Sequence, residues 1–365
     1  MALKVLHLID SGGLYGAERM LLALVRKQRA HGIDAMVLSA GFPGEGEKAI
    51  EQACVEQGLP CTPWRMKPGL NLSGGAEVAA WAKENGFSVL HSHGYKFNIL
   101  IGLLSRKQRA PAFVSTIHGY TASRVFSKLF VYKALDFLLS YRPDRVVVVT
   151  DGLRKSLLSK NNVRFIPNGI DIDEGTSKAA PVRLHGGRYI VVVGRLSAEK
   201  AIHTAIGAFS RVADEYPDYS LVIIGDGPEK KELQALAAKS GLADKVVFTG
   251  YSDHAGAYIG NAEALLISSE TEGLPLTLLE AVRVQTPVVS TPVGEIPNVL
   301  GHGKFGYLSS DISEASVFRA LAEVLANPAL ASEKARLAYD RFLSEYTSDQ
   351  MNERYRTLYQ EVLAP

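Results

Sequence analysis

With 365 residues, the chain is too long for one ordinary hydrophobic core and fits about two domains. A hydrophobic fraction of 47%, a charged fraction of 21% and a mean hydropathy of +0.04 exclude a disordered or fibrous protein, and a net charge of +2 gives no general attraction to nucleic acid. Cys54 and Cys61 form no CxxC and no metal-ligand spacing, so they read as inert thiols in a reducing compartment.

The first predicted element is a strand, MALKVLHLID, whose apolar run is too short for a signal peptide. No later run approaches the ~18 apolar residues of a membrane span, so a cytoplasmic location is expected. The strand leads into DSGGLYGAERML, where Gly12, Gly13 and Gly16 allow backbone to approach a phosphate ahead of a helix over 17–30. The spacing is not GxGxxG, and VLSAGFPG after the next strand lacks an acidic residue for a ribose, which argues against NAD. His91 and His93 in VLHSHG share one face of a strand end, where a metal is conceivable. The sequence shows no third ligand beside them, so no metal is expected. The strand FVSTI closes on His118, placed either to donate to a sugar hydroxyl or phosphate or to serve as a satisfied structural histidine. From Lys96 to Arg164, thirteen Lys and Arg stand against three Asp. Val125, Phe126, Leu129, Phe130, Phe137, Leu138 and Tyr141 recur there at helical spacing among Arg124, Lys128, Lys133 and Arg142. Such a helix can lie on an anionic membrane, grip a phosphorylated acceptor, or simply solvate its basic face.

Residues 166–189 are rich in Gly, Pro and polar side chains, and a fresh strand, IVVVG, follows. The expected division is therefore a first domain over 1–172, a hinge over 173–187 and a second domain over 188–345, with a closing helix over 348–363 that the sequence alone assigns to neither. Asp171 and Asp173 form a DID triplet, but it follows a Pro-Asn-Gly turn and reads as part of that turn. The second half then gives the strands YIVVVG, YSLVIIG, KVVFTG, ALLIS and TPVVS. Apolar strands alternating with helical segments mean parallel sheets covered on both faces. The prediction is α/β: two doubly wound, Rossmann-like domains facing a central cleft, with ligands at the carboxyl ends of the strands.

Two stretches at such ends carry the chemistry. VVVGRLSAEK sets Arg195 and Lys200 across a short turn, where they can neutralise the charge gained by a departing diphosphate without a metal. SSETEGLPLTLLEAV places Pro275 at an expected first helical position, so the amides of Gly273 and Leu274 point from a helix N-terminus toward an anion. Glu272 beside that anion site would repel phosphate and suits sugar hydroxyls. Glu280, set among Leu278, Leu279 and Ala281, suits a ribose diol. A nucleotide sugar satisfies all of these groups together. GDGPE at 225–229 is a tight turn with little meaning by itself.

In order and spacing, IPNGID, VGRLSAEK, GDGPEKKEL, VVFTGY and the Glu272/Glu280 pair of EGLPLTLLEA resemble the retaining glycosyltransferases of family 4, which have the GT-B fold. The resemblance implies that Arg195 and Lys200 bind the donor diphosphate, that Glu272 holds donor-sugar hydroxyls, and that the amides of Gly273 and Leu274 bind phosphate or sugar. It further implies that Glu280 binds the ribose, that Gly16 brings its amide to the phosphate, and that His118 touches the donor sugar near its anomeric centre. By the same resemblance the closing helix crosses back to the first domain, transfer retains anomeric configuration, and no cofactor or divalent metal is needed. The expected donor is a UDP- or GDP-hexose and the expected acceptor a glycan or lipid-linked molecule of surface polysaccharide assembly. The protein would then be cytoplasmic, with peripheral contact at the inner membrane face through residues 96–164. Departures from the family pattern are Tyr15 and Ala201 at positions usually glycine, Gln285 in place of a small turn residue, and Glu295 and Asn298 where Gly and Glu are common. Two rival readings share the fold: a sugar-nucleotide 2-epimerase, which would form product without an acceptor, and a catalytically silent nucleotide-sugar-binding subunit.

Overall fold

A computed structural model describes residues 3–109, 111–118, 128–157, 161–173 and 187–364, with side chains described throughout except at 128–130 and 133. The chain forms two compact units, Met1–Gly169 with Ser348–Pro365, and Ile170–Thr347.

The first unit is built on seven strands: β1 (Lys4–Ile9), β2 (Asp34–Gly41), β3 (Cys61–Arg65), β4 (Val89–His93), β5 (Ala112–Ile117), β6 (Arg145–Val148) and β7 (Val163–Phe165). Their order is β3-β2-β1-β4-β5-β6-β7, all parallel, so the winding reverses between β1 and β4. A parallel strand with helices on both faces must be apolar on both sides, and β1 is buried at five of its six positions. On one face Val5, Met20, Leu21 and Val37 pack with Met351, Tyr355, Leu358 and Tyr359 of the closing helix Ser348–Leu363. On the other, Leu6, Leu38, Val78, Leu90 and Phe113 form a second cluster.

The division falls at Gly169/Ile170 rather than after 172. Ile170 bridges Thr347, donates its amide to the Tyr346 carbonyl at 3.1 Å, and packs with Tyr189 and Val191 of the second unit. The second unit likewise ends at Thr347 instead of 345. Of the predicted hinge, residues 174–186 lie outside the described residues, as do Arg124, Val125 and Phe126 of the basic segment.

The second unit carries β8 (Arg188–Val193), β9 (Tyr219–Ile224), β10 (Val246–Gly250), β11 (Ala264–Ile267), β12 (Val288–Ser290) and β13 (Tyr307–Leu308) in the parallel order β10-β9-β8-β11-β12-β13. The winding reverses between β8 and β11. The helix Ile202–Glu215 lays Ile206, Phe209 and Val212 on one face of this sheet, and the helix Leu276–Arg283 lays Leu278, Leu279 and Val282 on the other. No helix among the described residues is long and apolar enough to cross a membrane.

Candidate active site

In an open α/β sheet the ligand position lies beyond the strand ends where the winding reverses. In the second unit that point is flanked by the loops after β8 and β11, which carry Arg195, Lys200 and Glu272. Lys200 ends the 3-10 turn Ala198–Lys200, and its Nζ donates to Glu272 Oε1 at 2.7 Å. The Ser269 hydroxyl donates to the same oxygen, also at 2.7 Å. The Glu272 side chain is only 9% exposed, against 27% for Lys200. Both bonds fall on Oε1, and Oε2 has no hydrogen-bond partner among the described residues. An ammonium has three donors, and the bond to Glu272 uses one of them.

Backbone contacts stitch these loops into one edge. The Glu270 amide donates to the Glu199 carbonyl at 2.9 Å, the Ser268 hydroxyl to the Lys200 carbonyl at 3.0 Å, and the Glu295 amide to the Gly273 carbonyl at 2.9 Å. The GDGPE turn is a brace for this edge. The Leu196 amide donates to the Asp226 carbonyl at 3.0 Å, and a Cβ at Gly225 or Gly227 would collide with the Gly194 or Leu196 carbonyl. Arg195 is exposed at the rim. Glu199, which the sequence did not single out, accepts from the Ser197 hydroxyl at 2.7 Å. Burial alone would raise its carboxyl, but that hydroxyl, its own amide and the Lys200 and Arg195 charges together hold it below the ordinary range. Ser269 was missed as well. Its position two residues past β11 and three before Glu272 was the available signal.

Two local expectations need correction. Pro275 is the N-cap residue, with φ −69° and ψ 131°, and the helix begins at Leu276. Gly273 and Leu274 therefore precede the helix instead of opening it. The Leu274 side chain, 4% exposed, belongs to the core, and the Gly273 carbonyl is taken by Glu295. Glu280, expected in an enclosed apolar setting, is half-buried and is not an isolated charge. Asp171 and Asp173 lie in irregular backbone, with the Asp171 carbonyl held by Arg283 Nη1 at 3.1 Å.

The first unit places the other predicted groups at its own strand ends. Gly16 opens the helix Gly16–Ala30 and is exposed. Tyr15 just before it donates its amide to Glu18 Oε2 at 2.9 Å and folds its ring over Gly13, while remaining 59% exposed. His118 follows β5 directly, half-buried, with Nε2 3.3 Å from His93 Nδ1. No third ligand for His91 and His93 was visible in the sequence, but the fold brings His7 on β1 beside them, with one ring nitrogen of each of the three within 4.8 Å of the others. Every ring nitrogen of the three already has a hydrogen-bond partner. His7 meets His93 at 2.9 Å and Gln28 at 2.8 Å, His91 meets Tyr359 and Thr116 at 2.7 Å each, and His93 meets His7 and His118. Burial drives all three well below the ordinary imidazole range, His7 to about 4.

The basic segment is more compensated than its composition implies. Lys96 pairs with Asp10 at 2.9 Å, Arg154 and Lys155 pair with Asp151, and Arg145 and Arg164 pair with Glu361 of the closing helix. Arg142 donates to the Gly102 and Leu104 carbonyls.

Two family models match consecutive parts of the chain: Glycosyltransferase Family 4 over residues 15–174 and Glycosyl transferases group 1 over 173–341. An N-acetyl-alpha-D-glucosaminyl L-malate synthase of Bacillus anthracis is 24% identical over 319 residues, covering 81% of this chain and 80% of the relative. A lipopolysaccharide core biosynthesis glycosyltransferase of Rhizobium meliloti is 25% identical, covering 86% and 91%. Among solved structures, Anabaena Alr3699/HepE in complex with UDP and glucose superposes with a TM-score of 0.84 at 18% identity, over 98% of this chain and 99% of that one. A sucrose-phosphate synthase of Thermosynechococcus elongatus reaches 0.80 at 19% identity, over 99% of each chain. With matched models running from residue 15 to 341 and the GT-B fold of its structural neighbours, the chain belongs to the group 1, family 4 glycosyltransferases.

Proposed function

We propose that this glycosyltransferase moves a hexose from a UDP- or GDP-hexose to a glycan or lipid-linked acceptor in surface polysaccharide assembly, with retention of anomeric configuration and without a metal or cofactor. The observation that carries the reading is the Lys200–Glu272 pair at the winding reversal of the second sheet, with Arg195 at its rim. The cations take the diphosphate, whose charge grows as the glycosidic bond to phosphate breaks, and this stabilises the transition state more than the ground state. Glu272 Oε2 accepts from hexose hydroxyls, Glu280 from the ribose, and the amides of Gly16, Gly273 and Leu274 serve phosphate or sugar. His118 lies at the sugar. No carboxylate among these groups stands out as a covalent nucleophile, so the acceptor attacks from the face the phosphate leaves, and a phosphate oxygen takes the acceptor's proton.

The test is a screen of UDP-, GDP-, ADP- and TDP-hexoses for thermal stabilisation and slow hydrolysis, since a bound donor raises the melting point whatever the acceptor. UDP-glucose is the first to assay, because a structural neighbour holds UDP and glucose. Stabilisation by one donor with release of free hexose supports the reading. An epimerised nucleotide sugar formed without acceptor, or binding with no turnover in any acceptor mixture, replaces it with the epimerase or the silent subunit. Peripheral membrane contact belongs to the same proposal. Val131, Leu138 and Tyr141 are 52%, 55% and 59% exposed beside the basic segment, and co-sedimentation with anionic but not neutral vesicles is the expected result.

A further inference from the structure

A line of hydrogen bonds runs through the first sheet to His118. Gln28 Oε1 lies 2.8 Å from His7 Nε2, His7 Nδ1 lies 2.9 Å from His93 Nε2, and His93 Nδ1 lies 3.3 Å from His118 Nε2. Burial holds all three imidazoles far below their ordinary range, His7 and His118 at about 4. They are therefore neutral near pH 7. A neutral imidazole has one N–H and one lone pair, so the polarity chosen at one end of the line propagates to the other.

Gln28 sets that polarity. Its amide sits between His7 Nε2 at 2.8 Å and the Tyr359 hydroxyl at 3.4 Å. Its Nε2 faces the phenol and its Oε1 faces His7. His7 then carries its proton on Nε2 and accepts at Nδ1, so His93 donates from Nε2 and accepts at Nδ1, and His118 donates from Nε2. What remains is the His118 Nδ1 lone pair, buried and without a hydrogen-bond partner among the described residues. An acceptor left unsatisfied in that way costs about 1–3 kcal/mol, and it is explained if a ligand donor completes it.

We propose that Gln28, His7 and His93 are positioning residues that lock His118 in its Nε2–H tautomer, so that Nδ1 accepts a hydrogen bond from a hydroxyl of the transferred hexose. This rests on the reading above, which puts His118 at the sugar. It narrows the roles the sequence left open: Nδ1 cannot donate, so neither phosphate nor a sugar oxygen acting as acceptor is its partner. A metal on His7, His91 and His93 would need a ring lone pair from each, on nitrogens already engaged in hydrogen bonds, and would break the line.

Long-range proton–nitrogen correlation spectra of histidine-labelled protein at pH 7.5 decide the matter, with a His118→Gln spectrum assigning the signal. The expected result is an unprotonated Nδ1 and a protonated Nε2 on His118. Gln28→Met, which cannot accept from His7, gives a mixture of tautomers and lowers kcat/KM for the donor about tenfold without changing affinity for the free nucleotide. Adding the nucleotide hexose, but not the nucleotide, moves the Nδ1 resonance. A proton found on Nδ1 in the natural protein, an unchanged spectrum in Gln28→Met, or stoichiometric zinc binding that removes the His7 and His93 protons overturns the proposal. The spectrum of the natural protein reads the tautomer even if Gln28→Met does not fold. If no nucleotide sugar binds at all, it is the functional reading that falls, because the tautomer is measured without any ligand.

Discussion

Glu272 is held by two donors on a single oxygen, and its neighbours at the rim are cations, so the proposed function assigns sugar contact and diphosphate contact to different side chains. Glu272→Ala should therefore lower hexose transfer by about 10²–10³-fold while nucleotide affinity stays within a few-fold. Arg195→Ala should weaken nucleotide binding as well, and calorimetric titration of the free nucleotide separates the two. Wild-type turnover in both variants would remove the site from these loops. The residue after Lys200 tells a different story. Ala201 is 2% exposed and adopts φ 46°, ψ 46°, the left-handed region that costs an L-residue about 1 kcal/mol. Gln285 sits at φ 57°. Both were legible in the sequence only as departures from a family pattern that has glycine or another small residue there. Ala201→Gly should raise the stability of the second unit by about 1 kcal/mol in thermal unfolding. An unchanged or lower melting point would show that the backbone strain is offset by packing of the methyl group.

The elements that build the site were read well where strands are continuous and apolar, and poorly where they are short or polar. β1, β2, β5, β6 and β8 to β12 all overlap apolar runs visible in the sequence. β3 (CTPWR) contains Pro63, which suits the sheet edge it occupies but breaks the pattern, and β7 and β13 span only three and two residues. β4 reads VLHSH, so its burial was hidden by polar side chains whose partners, His7, Thr116 and Tyr359, come from distant parts of the chain. Loop-to-loop bracing was invisible for the same reason. Gly294, after β12, is a case. It has φ 59°, and a Cβ there would run into the Glu272 and Gly273 carbonyls. Gly294→Ala should cost about 1–3 kcal/mol and displace the Glu272 loop, so donor affinity falls although residue 294 carries no ligand group. A variant with full donor affinity would show that the loop after β11 does not depend on the loop after β12.

Across the whole chain, the two units differ in how they meet acid. The first buries His7, His91 and His93 completely or nearly so, packed among His118, Thr116, Gln28, Tyr355 and Tyr359, with no carboxylate among their described partners. The described histidines of the second unit, His203, His254 and His302, are exposed. His7 titrates near 4 in the folded protein and near 6.5 when unfolded, because burial disfavours its charged form. Between those values the unfolded chain binds more protons than the folded one, so the stability of the first unit rises with pH. The contribution is complete above about pH 6.5 and is lost as pH falls toward 4, amounting to about 3 kcal/mol for His7 alone. His91 and His93 act in the same direction. Hydrogen exchange at pH 7.5 and pH 5, corrected for intrinsic rates, should show protection lost first in β1, β4 and the closing helix, while β8, β9 and β11 keep theirs. Equal loss in both units would mean that the histidine cluster accommodates its protons without opening, and that the first unit's acid sensitivity does not come from these buried rings.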